Sequence, residues 1–166
     1  MSGAGNSAPN VIGLVYIAAF GLDEGESLEI LGKHGTPPPG ISQVHPDDYG
    51  FVWINRDGFA QAFAADVDPE EASVMAAVQK QLSLKSFAEK SGPPAWKHLP
   101  SWYLVSSNDL MIPPPAEEFM AKRMGATTRM IPASHASIVS RPKDVADLIM
   151  LAAESNGGGK SNAPDG

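Results

Sequence analysis

The fold is decided by the last third of the chain, where residues 101–155 run SWYLVSSNDLMIPPPAEEFMAKRMGATTRMIPASHASIVSRPKDVADLIMLAAES. The segments 101–105 and 127–131 are short and rich in β-branched or aromatic residues, which is typical of strands. Helices are predicted over 113–125 and 140–155, one after each strand. A strand–helix–strand–helix order implies a parallel sheet with right-handed crossover connections, and therefore the α/β class.

Both predicted helices carry the expected signals at their ends. Prolines precede the helix over 113–125, acidic residues lie near its start, basic residues lie near its end, and Gly125 stops it. In the helix over 140–155, Ser140 is the predicted N-cap. The apolar face of this helix is expected to comprise Val145, Leu148, Ile149 and Ala152.

An earlier apolar segment, VIGLVYIAAF at residues 11–20, predicts another strand of the same sheet. Its hydrophobicity is continuous rather than alternating, which is typical of a parallel strand with both faces buried. A buried helix is the alternative, but Gly13 and the β-branched residues favour the strand.

The residues between these strands, about 21–97, are predicted to form a mainly helical insertion. Residues 32–50 are dense in proline and glycine and predict a loop without regular elements. A short strand over 51–55 is expected next, followed by a helix over 68–82 that begins with Asp68 as its N-cap. The apolar face of that helix is expected to comprise Val74, Met75, Val78 and Leu82.

Composition narrows the classes of function. The chain has 166 residues, of which 43% are hydrophobic, with a net charge of -7 and no cysteine. The negative charge argues against nucleic acid or anionic membrane as a partner, since both attract basic patches. Without cysteine there are no disulfides or thiolate metal sites, and no metal or cofactor is expected. Residues 1–10 lack the features of a signal peptide and no apolar run is long enough to cross a bilayer, so a cytoplasmic location is expected.

An acid and a histidine follow two neighbouring strands of the predicted sheet. Asp109 comes after the strand over 101–105, and His135 comes after the strand over 127–131. The carboxyl ends of parallel strands meet at one edge of a sheet, where functional groups gather. An aspartate that accepts the Nδ1 hydrogen of a histidine fixes its tautomer and stabilises the imidazolium formed in catalysis. Taken singly, Asp109 could be a turn former and His135 merely structural, but their matching positions favour a catalytic pair.

The segments that carry these residues resemble a known family. PSWYLVSSNDLMIPPPAEEFMAKRMGA (100–126) and PASHASIVSRPKDVADLI (132–149) resemble the C-terminal part of an α/β-hydrolase. GLVYIAAFGLDEGES (13–27) resembles the strand after that fold's nucleophile helix and the entry to its cap. AADVDPEEASVMAAVQKQ (64–81) resembles the cap helix of small esterase-like members, a branch related to plant methylesterases and hydroxynitrile lyases.

The resemblance implies a Ser-Asp-His triad in which Asp109 is the acid and His135 the base. In this family the nucleophile precedes both, in a G-x-S-x-G elbow before the strand that 11–20 would form. The sequence has no such motif, and residues 1–10 resemble only the end of the nucleophile helix and the following loop. The expected organisation is therefore a partial hydrolase domain over 11–155 and a disordered tail over 156–166.

Three explanations of the missing nucleophile stay open. The first is that the start of the gene is misassigned or truncated, the second is that a separate chain completes the sheet, and the third is that the chain has lost catalysis and now binds. The first predicts hydrolysis of small carboxylic esters, and hydroxynitrile-lyase chemistry on the same triad remains an alternative. The last predicts a non-catalytic fragment that binds a small hydrophobic ligand or a partner chain.

Two further expectations concern surfaces. In an insertion that covers an active site, Trp53, Phe59 and Trp96 would line an apolar pocket for the substrate, although simple packing within the insertion explains them equally well. If 11–20 forms an unpaired edge strand, it offers a template for pairing with other chains, so self-association through this edge is expected.

Overall fold

A computed structural model of the chain describes residues 3–32 and 36–157. In chain order the strands are β1 (Leu14–Ile17), β2 (Val44–Pro46), β3 (Phe51–Ile54), β4 (Leu82–Ser83), β5 (Ser101–Ser106) and β6 (Thr127–Ile131). The helices are α1 (Leu28–Gly32), α2 (Arg56–Phe63), α3 (Pro69–Val78), α4 (Lys85–Ala88), α5 (Pro114–Arg123), α6 (Ser137–Ser140) and α7 (Pro142–Gly157). Short 3-10 helices span Ala4–Ser7, Pro39–Gln43 and Ala95–Lys97.

The main sheet is parallel, in the order β1-β5-β6, which confirms the predicted class. In this sheet Tyr16 of β1 is paired with Tyr103 of β5, and Leu104 of β5 with Arg129 of β6. The predicted strand over 11–20 is shorter than expected. It ends at Ile17 because Ala18 adopts a positive φ of 41°, which breaks the extended backbone.

The central strand β5 is buried on both faces, so its side chains divide between two cores. Tyr103 and Val105 pack against α5, in a cluster that includes Met120. Trp102 and Leu104 face the other way and pack against α7, in a cluster that includes Val145, Leu148 and Ala152. Burial of apolar area on both sides is the main force that holds this layer together.

The predicted face of the last helix is corrected at one position, since Ile149 is 45% exposed and lies beside the buried stripe. Ser140 is not the cap of α7 but the last residue of α6. Of the predicted disordered tail, residues 156 and 157 form the end of α7, and residues 158–166 lie outside the described residues.

The insertion contains a second sheet that the sequence did not predict. It is antiparallel, in the order β2-β3-β4, and β2 lies within the segment expected to be a loop. Pro46 ends β2, and it is tolerated there because β2 is an edge strand whose outward N–H groups are not needed for pairing.

The helix α3 has the predicted cap but not the predicted face. Asp68 Oδ1 accepts from the N–H groups of Glu70 (2.9 Å) and Glu71 (3.3 Å). The buried residues are Ala72 and Ala76, whereas the larger Val74 and Val78 are exposed. The helix ends at Val78, before the predicted 82, and Leu82 lies in β4. Small side chains let α3 approach α2 closely, so the face that packs is the alanine face.

Candidate active site

Asp109 is fixed by the turn that leads from β5 to α5. Its Oδ1 accepts hydrogen bonds from the backbone N–H groups of Met111 at 2.6 Å and Ile112 at 2.9 Å. The side chain is fully buried, and the other oxygen, Oδ2, points away from the turn. The aspartate therefore both forms the turn and presents a second oxygen to the edge of the sheet.

His135 lies on the neighbouring loop, and its Nδ1 is 2.7 Å from Asp109 Oδ2. The imidazole is 19% exposed, so part of it reaches the surface while the carboxylate beneath it does not. Because a carboxylate can only accept, Nδ1 carries the proton of the neutral ring and Nε2 is left with the free lone pair. A histidine in this state can accept a proton at Nε2.

Backbone hydrogen bonds join the two loops beyond the end of the β5–β6 ladder. Ser107 N–H donates to Ile131 O at 2.9 Å, and Asn108 N–H donates to Ala133 O at 3.1 Å. These bonds continue the parallel register to the residues flanking the pair. They bring together two side chains that are 26 positions apart in sequence.

The insertion holds the histidine loop from the other side. Burial acts to raise the pKa of Asp66, but hydrogen bonds from the Ser134 and Ser140 hydroxyls and from the backbone of Ser134 outweigh it, so the pKa of Asp66 is lowered. A charged Asp66 thus ties the loop between α2 and α3 to the residue before His135.

A second carboxyl group, Glu117, is buried beside Asp109 and was not predicted as part of the site. Glu117 Oε2 accepts from the Ser106 N–H at 2.9 Å. Burial first, and then the neighbouring Asp109, raise the pKa of Glu117 to about 9 against the opposing effect of the Ser106 N–H. The spacing of Glu117, Met120, Ala121 and Met124 was the available signal, because it places the acid on the buried face of α5.

Residues of the insertion line two cavities, one of about 430 Å³ and one of about 610 Å³. The larger lies between the insertion and the edge of the parallel sheet. Its walls include Pro39, Asp66, Asn108, Asp109, Pro113 and Ser134.

Among the described residues, no three histidine, aspartate or glutamate side chains converge as they would around a metal ion. None of the helices that the structure describes is long and apolar enough to cross a bilayer.

Residues 2–148 of this chain match a protein-family model described as the α/β-hydrolase family. The chain belongs to the α/β-hydrolase family. A pyrethroid hydrolase from Sphingobium faniae has a similar structure, with a TM-score of 0.74 and 20% identity over 92% of this chain and 64% of its own. Polyneuridine aldehyde esterase gives a TM-score of 0.68 and 12% identity, over 86% of this chain and 62% of its own.

A methylesterase from Arabidopsis is also similar, with a TM-score of 0.66 and 14% identity over 87% of this chain and 60% of its own. At these identities the likeness shows the hydrolase fold alone. The chain spans 60 to 64% of the length of these three proteins. Among curated proteins, no relative matches this sequence.

In this chain the three aromatic residues predicted to line one pocket lie in three different places. Trp53 lines the smaller cavity and donates from Nε1 to Asp47 Oδ2 at 3.2 Å. Phe59 is buried in a cluster with Ala136. Trp96 is buried against α5 and donates to the carbonyl of Leu22 at 3.0 Å. The aromatic ring that meets His135 is instead Phe63, edge-on at 4.7 Å between centroids.

Proposed function

We propose that Asp109 and His135 are the acid and the base of a Ser-His-Asp triad in a carboxylic ester hydrolase. The observation that carries this proposal is the 2.7 Å contact between a fully buried carboxylate and Nδ1 of a partly exposed imidazole. Asp109 is held by two backbone N–H groups and His135 by its own loop, so neither side chain has to move to form the pair. Preorganisation of this kind is what a general base requires.

The proposed reaction follows from the free lone pair on Nε2. A serine hydroxyl attacks the ester carbonyl while His135 Nε2 accepts its proton, and Asp109 stabilises the imidazolium. When the tetrahedral intermediate collapses, His135 returns the proton to the leaving alkoxide. Water then attacks the acyl group on the serine, with His135 again accepting and returning the proton, and the carboxylic acid is released. The 166 residues contain no G-x-S-x-G elbow, so we place the serine on a segment outside them.

Carboxylic esters are the proposed substrates because the structurally similar proteins are described as a pyrethroid hydrolase, polyneuridine aldehyde esterase and a methylesterase. The likeness to these proteins supports the substrate class and not a particular ester. No step of the proposed mechanism requires a cofactor.

The test measures hydrolysis of 4-nitrophenyl acetate and butyrate, both by this chain and by any longer chain that the in-frame upstream DNA encodes with a G-x-S-x-G. In the active form, His135→Gln and Asp109→Asn should each lower kcat/KM by roughly 10³-fold or more. His98→Gln is the matched control and should leave turnover unchanged. Full activity of the His135→Gln variant, or no turnover by either chain, would overturn the proposal.

A second candidate function is non-catalytic binding of a partner chain, and the open edge of β1 favours it. In the described sheet, β1 pairs with β5 on one side only. Its other side offers unpaired backbone groups flanked by the apolar Val15 and Ile17, which are only partly buried.

A further inference from the structure

Glu117 is buried although it lies in the first turn of α5. An acid in the first turn of a helix ordinarily lies at the surface and interacts with the helix dipole. Here the side chain is fully buried between α5 and β5, whereas the adjacent Glu118 is exposed. The only donor that the described residues give Glu117 is the N–H of Ser106, which reaches Oε2.

None of the described residues places a cation beside this buried acid. The ion pairs among the described residues involve Asp23, Glu26, Asp109 and Asp147 but not Glu117. The titratable groups that face it are the Asp109 carboxyl and the hydroxyl of Tyr103, which donates to the carbonyl of Ala19. A carboxylate with no cation in a buried site is strongly disfavoured, so Glu117 is held as the neutral acid.

Protonation of Glu117 also gives its Oε1 atom a hydrogen-bond partner. As a carboxylate, Glu117 would leave Oε1 without a donor among the described residues. As an acid, its hydroxyl becomes a donor, and the side chain it interacts with is Asp109. The Asp109 carboxylate has one lone pair to spare, on Oδ2, since Oδ1 receives two backbone N–H groups and Oδ2 receives His135 alone.

We infer that Glu117 is a positioning residue: a neutral acid that donates to Asp109 from behind and holds it toward His135. A role of Glu117 in catalysis rests on the proposed function. With Glu117 neutral, Asp109 carries the only negative charge that the described residues place in this buried site. If Glu117 ionised, two buried carboxylates would lie side by side, and the Asp109–His135 contact would lose its support.

The test uses Glu117→Gln, Glu117→Leu and the matched control Glu118→Gln on the neighbouring exposed residue. At neutral pH, infrared spectroscopy should detect the carbonyl stretch of one protonated carboxylic acid. This band should disappear in Glu117→Gln and persist in Glu118→Gln. If Glu117→Gln leaves the spectrum unchanged, the acid is already ionised and the inference is wrong.

The second measurement is the rate at which the Nδ1–H proton of His135 exchanges with solvent, followed by its NMR resonance. If Glu117 only filled space in the core, its replacement would leave this rate unchanged. The resonance should persist in Glu117→Gln, whose amide can still donate to Asp109. In Glu117→Leu the proton should exchange with solvent about tenfold faster, because one charge-assisted hydrogen bond is lost. An unchanged exchange rate in Glu117→Leu would overturn the inference.

If both Glu117 variants fail to fold, the wild-type protein still provides the test, since its carboxylic acid band should persist at neutral pH and fade only as the pH rises through about 9. A band that is absent at neutral pH contradicts the inference. None of these measurements needs substrate turnover. Failure of the Glu117 inference is therefore distinguishable from failure of the ester hydrolase proposal.

Discussion

The backbone N–H of Ala136 donates to the carbonyl oxygen of Phe63 at 3.0 Å, so the insertion holds the residue that follows His135. Phe63 is the last residue of α2, and its ring packs edge-on against the imidazole. The ring contact and the backbone bond come from the same residue. The insertion thus supports the histidine from one side while Asp109 holds it from the other.

Replacing Phe63 by alanine should loosen this support. We expect the free energy of unfolding to fall by about 2 kcal/mol, less than for a fully buried phenylalanine because the ring is only partly buried. His135 should also become more reactive toward diethylpyrocarbonate, as measured by mass spectrometry of its peptide. The exposed Phe119 is the control, and Phe119→Ala should cost no more than about 1 kcal/mol. Unchanged His135 reactivity would show that Phe63 does not shield the ring.

Replacing Asp109 separates its role in the turn from its role at the histidine. Asp109→Ala leaves the N–H groups of Met111 and Ile112 without their acceptor and should lower the free energy of unfolding by about 2 kcal/mol. Asp109→Asn keeps an oxygen for these donors and should cost less. Denaturant titration of the three proteins measures the difference. Equal losses for the two variants would mean that the turn does not depend on the carboxyl oxygen.

The pair at the sheet edge was predicted from the sequence, whereas the acid behind it was missed, although its spacing from Met120 and Met124 was a signal for the buried face of α5. Asp109 and His135 each follow a strand, and the rule that parallel strands end at one edge is enough to bring them together. Glu117 near a helix start is explained equally well by the helix dipole. Its burial depends on how α5 packs on β5, which is a tertiary property.

The insertion was predicted less well, for a related reason. The face of α3 was assigned by hydrophobicity, but the buried residues are alanines that let the helix approach Phe59 of α2. The strand β2 was not predicted because it lies in a segment dense in proline and glycine, which is typical of loops. In both places contacts between elements outweigh local preference, and a single sequence does not reveal them.

Burial of Glu117 should make stability depend on pH. The pKa of Glu117 is about 9 in the folded state against an ordinary 4.5. Below pH 4.5 Glu117 is protonated in both the folded and the unfolded state, so its contribution to the free energy of unfolding is fully present there. As the pH rises from 4.5 toward 9, only the unfolded state releases the proton, and the contribution is progressively lost. Above about 9 it levels off.

Glu117→Gln cannot titrate, so the difference in unfolding free energy between the wild type and this variant isolates the contribution. We expect the wild type to lose stability relative to the variant across this pH window, as measured by denaturant titration at several pH values. Glu118→Gln should show no such trend. A constant difference between wild type and Glu117→Gln would mean that Glu117 titrates alike in both states.

The open edge of β1 should lead to concentration-dependent self-association. Leu14 N–H and Ala18 N–H donate to carbonyls of Pro100 and Leu104 on the β5 side. Because successive groups along a strand alternate in direction, the N–H groups of Val15 and Ile17 face the open edge. Backbone donors in this arrangement pair readily with a strand of a second copy.

Val15→Pro removes one of these outward donors and leaves the bonds to β5 in place. Sedimentation velocity over a concentration series should show a monomer–dimer equilibrium for the wild type, and the variant should need at least about tenfold higher concentration to dimerise. Circular dichroism must confirm that the variant keeps its fold. A wild-type protein that stays monomeric throughout the series would contradict pairing through β1.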